Sequence, residues 1–181
     1  MKIHVIETGL FKLDGGAMFG VVPKTLWQKS NPADENNMCT WALRCLLIED
    51  GKRLILIDTG IGDKQSEKFF SHYHLQGNDT LIGSIRKAGF HEDDITDVIL
   101  THLHFDHVGG LGAGNDGLTP VFKNATLHIQ KDHYDYALSP TLRDAGSFQS
   151  KYFKQILDWY DSQGKINWIT GSSGTVLSDG E

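Results

Sequence analysis

Cysteine is almost absent from this chain, with two in 181 residues, and their placement speaks against a cross-link. Cys39 and Cys45 lie six residues apart on or beside one apolar run. An extended strand spreads that interval over about 20 Å, whereas a disulfide needs Cα atoms within about 7 Å. Both read as reduced, buried side chains without a metal role. Long apolar runs are missing too. Met1-Lys2-Ile3-His4-Val5-Ile6 alternates like a strand and resembles neither a membrane span nor a signal peptide. No membrane partner is expected, and a cytoplasmic location follows as the default. Positive charge is scarce: 17 Lys and Arg stand against 23 Asp and Glu, for a net charge of -6. No basic stripe appears, which argues against a nucleic-acid partner, because phosphate contacts need clustered Lys and Arg. Repeats and low-complexity linkers are absent, and 39% hydrophobic with 22% charged residues is the composition of one globular domain.

What the chain does contain is concentrated in Thr101-His102-Leu103-His104-Phe105-Asp106-His107-Val108-Gly109-Gly110. Four metal-capable side chains fall within six residues. Imidazole nitrogen and carboxylate oxygen are the donors a borderline-soft divalent ion such as Zn²⁺ accepts, at roughly 2.0 to 2.2 Å. In an extended segment, residues i and i+2 share a face, so His102 and His104 point together as a strand ends. Adjacent Asp106 and His107 converge only if the chain turns just after Phe105, which the following glycines favour. Two pairs on a turning loop predict two neighbouring ions, His102 with His104 on one and Asp106 with His107 on the other.

Along the chain, Thr40 to Ile48 and Arg53 to Ile57 are apolar runs around Glu49-Asp50-Gly51-Lys52, a hairpin signal. Leu81, Ile82, Ile85 and Ala88 follow a helical period after Thr80, a candidate N-cap, with Gly89 as the stop. Asp97 to Leu100 reads as a short buried strand feeding the metal motif, and Thr126 to Ile129 as another strand. Phe153, Ile156, Leu157 and Tyr160 mark a second amphipathic helix. His128 and His133 flank the end of the Thr126 to Ile129 strand, where each could stand behind a ligand, and are read first as ordinary core or surface histidines. His72 and His74 fall on a predicted helix, where i and i+2 do not face each other, so they share no ion.

The segment Thr101 to Gly110 resembles the signature of the metallo-β-lactamase superfamily, and Leu54-Ile55-Leu56-Ile57-Asp58-Thr59-Gly60 resembles its second signature, a buried strand ending in Asp-Thr-Gly. The resemblance runs from the first strand at Lys2 to a last one ending at Leu177. It implies an α/β (α+β) fold, the metallo-β-lactamase-like αββα sandwich, here its N-terminal portion. It further implies a dinuclear hydrolase with two divalent ions, zinc first among them, in which a metal-bound hydroxide attacks a lactone, ester or phosphotriester. His102, His104, Asp106 and His107 are the implied ligands, and Asp106 is also the catalytic group that orients the nucleophile or shuttles a proton. Asp58 would hold an imidazole by accepting its remaining N–H. The stretch from Phe11 to Trp27 is similar to the N-terminal loop of the lactonase and organophosphate hydrolase branch, which makes Met18, Phe19 and Trp27 candidates for the apolar wall of a small-molecule pocket.

No histidine follows His133, whereas the superfamily completes its sites with a later His, a bridging Asp and a final His. Thr175-Val176-Leu177-Ser178-Asp179-Gly180-Glu181 repeats the strand-then-turn pattern of the earlier hairpin without a returning strand. Residues 1–181 are therefore expected to be one domain that is incomplete at its C-terminus. Half of a two-sheet sandwich leaves an apolar sheet face and an edge in water, to be covered by a complementing C-terminal segment or by a second copy in a homo-oligomer. The alternatives are a mononuclear iron dioxygenase-type relative and a non-catalytic fragment with partial metal affinity.

Overall fold

The computed structural model describes residues 1–114, 116–172 and 176–177. In chain order its first elements are β1 (Lys2–Asp14), α1 (Gly15–Phe19), α2 (Lys24–Trp27), β2 (Met38–Asp50), β3 (Arg53–Ile57), α3 (Glu67–Ser71), α4 (Leu81–Lys87) and β4 (Asp97–Ile99). They are followed by α5 (Phe105–Val108), β5 (Gly112–Ala113), β6 (Thr119–Pro120), β7 (Thr126–Gln130), α6 (Lys131–Leu138), α7 (Ser150–Ser162) and β8 (Ile166–Ile169). Six strands form one mixed sheet in the order β1-β2-β3-β4-β7-β8, and β5 pairs with β6. The first three strands are antiparallel neighbours, while β3, β4, β7 and β8 run parallel. Among the described residues no helix is long and apolar enough to cross a membrane.

The β2–β3 hairpin closes through Gly51 and Lys52, with Asp50 opposite Arg53. Gly51 has φ +61°, the left-handed geometry that two-residue hairpin loops require and that glycine adopts without steric cost. Thr80 caps α4 by accepting the Gly83 N–H at 3.1 Å, and Phe153, Ile156, Leu157 and Tyr160 form the buried face of α7. The Tyr160 hydroxyl accepts the buried Phe122 N–H at 3.2 Å.

Strand register explains which face is covered. Leu47, Leu56, Val98 and Leu127 lie in one cross-strand row. They pack in a single buried cluster with Ile85 of α4, Ala137 of α6 and the apolar face of α7. The adjacent row, on the opposite face, is Val5, Leu46, Ile57 and Ile99, continuing to His128 and Asn167. Val5 is 61% exposed and Ile3 59%, and Leu46, Ile48, Ile57 and Ile99 are only half-buried. An apolar sheet face thus lies open among the described residues. Of the expected last strand, most residues lie outside the described ones; Val176 and Leu177 form a bend.

Two local expectations are corrected. β1 does not stop near Ile6: it shifts register between Glu7 and Leu10 and pairs on to Asp14. Phe11 to Asp14 is therefore strand rather than loop, a continuation hidden because the irregularity breaks the alternation. His72 and His74 are not helical: α3 ends at Ser71, and both side chains are exposed beyond it. Cys39 and Cys45 are free and buried, as expected, opposite Leu13 and Ile6 respectively.

Candidate metal centre

Because β3, β4 and β7 are parallel, their C-terminal ends reach the same edge of the sheet, where open α/β sheets place ligands. Asp58 follows β3, the segment Thr101 to His107 follows β4, and His133 sits in α6, which starts directly after β7. β4 ends at Ile99, so His102 and His104 lie in the extended segment beyond it rather than on the strand. The alternation survives there: Leu103 is fully buried between two half-buried histidines. The chain then turns at Phe105, not after it, into the single helical turn α5, with His104 just ahead of it at φ -65° and ψ 152°.

This bend gathers the rings. The His102 ring lies 4.3 Å from that of His104 and 4.0 Å from that of His107, centroid to centroid. His107 Nε2 stands 3.5 Å from Asp106 Oδ2. Two donors bound to one ion at tetrahedral angles sit about 3.4 Å apart at the usual zinc bond lengths, so this pair has the spacing one divalent ion requires. Among the described residues no three His, Cys, Asp or Glu groups stand as a finished ion-holding set.

The glycines of the motif do not serve the turn. Gly109 has φ -59° and ψ -35°, values open to any residue. They serve contact instead: a Cβ at Gly109 would lie 1.9 Å from the Ile61 carbonyl oxygen, and one at Gly110 2.3 Å from that of Thr59. The Asp58-to-Lys64 segment is thereby pressed backbone to backbone against the metal turn and grips it. Asp58 accepts the Thr101 N–H at 2.9 Å on Oδ1, and its Oδ2 is 2.8 Å from both Thr101 Oγ1 and His107 Nδ1. Thr59 donates its N–H, at 2.7 Å, and its hydroxyl, at 2.9 Å, to the His107 carbonyl. Lys64 Nζ donates to the Gly109 carbonyl at 2.7 Å.

Electrostatics suit these donors to a cation. Burial, with repulsion from His107 and His104, pushes His102 down to about 4, and burial also lowers His104. Both are thereby kept in the neutral form that offers a lone pair. Burial opposes charge on His107, but the hydrogen bond to Asp58 and the nearby Asp106 carboxylate outweigh it and raise its pKa. Burial likewise works against the Asp58 carboxylate, yet the bonds from His107 and Thr101 hold it below the ordinary range. With Nδ1 of His107 turned to Asp58, Nε2 remains for a metal. Asp58→Asn tests this. Asp58 has φ +61°, which asparagine tolerates, so the backbone survives while the carboxylate is lost. Zinc affinity, measured by competition with a chromophoric chelator, is expected to fall about 10- to 100-fold, the usual effect of removing a carboxylate behind a ligating imidazole.

The other expected residues divide. Phe19 and Trp27 stack on each other with centroids 4.7 Å apart, Trp27 is buried against Gly15, and Met18 is exposed. The Phe19 ring also lies 5.6 Å from that of Trp41, a neighbour of the small cluster of Phe11, Leu43, Ile61 and Phe105. Aromatic rings that flank the turn at Phe105 directly include Tyr73 and Phe69, 4.7 Å and 5.2 Å from Phe105, and Phe148, 4.6 Å from the His104 ring. Burial and the Asp106 charge raise the Tyr73 phenol. His128 is a core histidine, as read, with Nε2 2.8 Å from Asp97 Oδ1. His133 departs from its reading as an ordinary core or surface histidine: its Nε2 accepts the Leu103 N–H at 2.9 Å, bracing the loop between His102 and His104. No spacing in the sequence marks His133 or Lys64, whose partners lie on other elements; Thr101 and Thr59 stand in the two motifs, but the contacts they make do not show there.

Comparison with known proteins places the chain in a family and a fold. A family model described as the metallo-beta-lactamase superfamily matches residues 44–170. An N-acyl homoserine lactonase of Bacillus thuringiensis is 27% identical over 147 residues, 76% of this chain and 51% of that protein. The N-acyl homoserine lactonase AttM of Agrobacterium fabrum is 34% identical over 79 residues, 43% of this chain and 27% of that protein. The crystal structure of a probable metal-dependent hydrolase from Staphylococcus aureus superposes with a TM-score of 0.82 at 32% identity, covering 93% of this chain and 58% of its own. A dizinc quorum-quenching lactonase in complex with a product shares the fold, with a TM-score of 0.67 at 24% identity over 92% of this chain and 57% of its own. The chain spans about half the length of the Bacillus relatives it matches.

Proposed function

The chain belongs to the metallo-β-lactamase superfamily, and on that premise we propose that the protein is a dinuclear metal-dependent hydrolase acting on a lactone, with other esters and phosphotriesters as the neighbouring substrate classes. The observation that carries this is the gathering of His102, His104 and His107 beside Asp106 at the carboxyl edge of the sheet, with Asp58 behind His107. His102 and His104 would hold one ion, Asp106 and His107 the other. Two divalent ions held there, zinc for this donor set, would supply hydroxide near neutral pH and polarise a carbonyl or phosphoryl oxygen. Asp106 orients the nucleophile and accepts its proton, Asp58 fixes the His107 ring, and Met18, Phe19 and Trp27 border the apolar part of the pocket. A lactone is favoured because the matched relatives are named N-acyl homoserine lactonases.

Residues 1–181 are proposed to form one domain whose open sheet face, with Ile3 and Val5 more than half exposed, is covered by a complementing C-terminal segment. Metal analysis with lactone hydrolysis tests the function in the protein carrying that segment. Two equivalents of zinc and chelator-sensitive ring opening of an N-acyl homoserine lactone are expected. One equivalent of iron, or turnover unaffected by chelation, would overturn the assignment.

A further inference from the structure

Lys64 is a half-buried cation that forms no ion pair among the described residues. Among the described residues no carboxylate lies within ion-pair distance of its ammonium, and burial, only partly offset by Asp63, lowers its pKa to about 8. Buried ammonium groups are costly to a fold, and a lysine in a polar stretch of sequence has solvent as its easy alternative. Here the stem is packed instead against Gly117, where a Cβ would come within 2.4 Å of Lys64 Cδ. The side chain lines a cavity of about 10 Å³ with Phe105, Val108, Gly109, Gln149 and, from α7, Tyr152 and Phe153. Its ammonium ends on the carbonyl of Gly109, at 2.7 Å.

Gly109 closes α5, the single turn that carries Asp106 and His107. The last carbonyls of a helical turn have no partner within it, and a cation there satisfies them and complements their partial charge. Asp58 fixes the His107 ring and Thr59 the His107 carbonyl; Lys64 takes the end of the same turn, six residues further along the same segment.

We propose that Lys64 is a positioning residue of the metal centre, whose ammonium, by holding the Gly109 carbonyl, fixes the pitch of the turn that presents Asp106 and His107 to a divalent ion. The proposal rests on the metal-centre reading above. It accounts for a half-buried ammonium that makes no ion pair among the described residues and instead holds the Gly109 carbonyl at 2.7 Å, where two ligands must keep their spacing.

Lys64→Met keeps the apolar stem and removes the donor and the charge. Cobalt titration of the metal-free protein, followed by the visible absorption of the bound ion and by competition with a chelator, is expected to show affinity 10- to 100-fold weaker and an altered ligand-field spectrum. The unfolding temperature of the metal-free protein is expected to stay within about 3 °C of the original, because a half-buried charge without an ion pair has gone with the hydrogen bond. Lys64→Arg, which retains charge and donors, is expected to recover most of the affinity. Unchanged affinity and spectrum in Lys64→Met, whether or not stability falls, would overturn the proposal and leave Lys64 a packing residue. If that variant does not fold, Lys64→Gln is held to the same two outcomes. Failure of the unsubstituted protein to bind cobalt would overturn the metal reading and this inference together, whereas equal binding by both proteins overturns this inference alone.

Discussion

Asp106→Asn is expected to leave a folded protein that binds one divalent ion instead of two and hydrolyses its substrate about a thousandfold more slowly. The side chain makes no structural hydrogen bond among the described residues; its nearest charged partner is His107 Nε2 at 3.5 Å. Removing its charge therefore costs the fold little, and the metal-free unfolding temperature should not move. Catalysis has more to lose. An ion that polarises the reacting oxygen is worth several kcal/mol of transition-state stabilisation, and ~4 kcal/mol corresponds to about three orders of magnitude in rate. Native mass spectrometry reads the ion count, and hydrolysis kinetics read the rate. A third readout needs no metal: the Tyr73 phenol, held above its ordinary value first by burial and then by the Asp106 charge, should titrate lower in the variant. A variant that keeps both ions and most of its activity would remove Asp106 from the centre.

How much of this was legible in the sequence depends on how far each signal reached. The Asp50-Gly51 hairpin, the Thr80 cap of α4 and the buried face of α7 are local, written in residues a few positions apart, and each forms where the pattern places it. The four motif side chains are also local, and Asp58 was identifiable from its strand-ending context. What stayed hidden was set by partners elsewhere. His133 reaches Leu103 across 30 positions, and Lys64 reaches Gly109 across 45; nothing near either residue announces the contact. β1 was cut short for a different reason, because its irregularity between Glu7 and Leu10 interrupts the period-two pattern on which strand recognition depends. The motif glycines were recognised as necessary but for the wrong cause. Backbone freedom and backbone contact leave the same residue in a sequence, and only the distance to Ile61 separates them.

That distinction gives Gly109→Ala a large expected effect. If the residue served a left-handed turn, alanine would cost about 1 kcal/mol in strain; at φ -59° there is no such cost. The added methyl instead falls 1.9 Å from the Ile61 carbonyl oxygen and 2.2 Å from its carbon, both main-chain atoms that cannot rotate away. One backbone must retreat by more than an ångström, and the retreat breaks the bonds that join the two segments: Thr59 to the His107 carbonyl, Asp58 to His107 and Lys64 to Gly109. Overpacking costs typically 1–3 kcal/mol and each lost bond about 1 kcal/mol, which together approach ~5 kcal/mol in a fold whose whole stability is of order 5–15 kcal/mol. The unfolding temperature is expected to drop by about 10 °C or more, and the protein that remains folded should bind zinc poorly, since Asp106 and His107 move with the displaced turn. Gly146→Ala is the control: nothing lies within 4 Å of a Cβ there, and the change should stay within about 0.5 kcal/mol. Were the two alanine variants to unfold at the same temperature, the close seating of the metal turn on the Asp58-to-Lys64 segment would have to be abandoned, and with it the explanation of why that turn ends in two glycines.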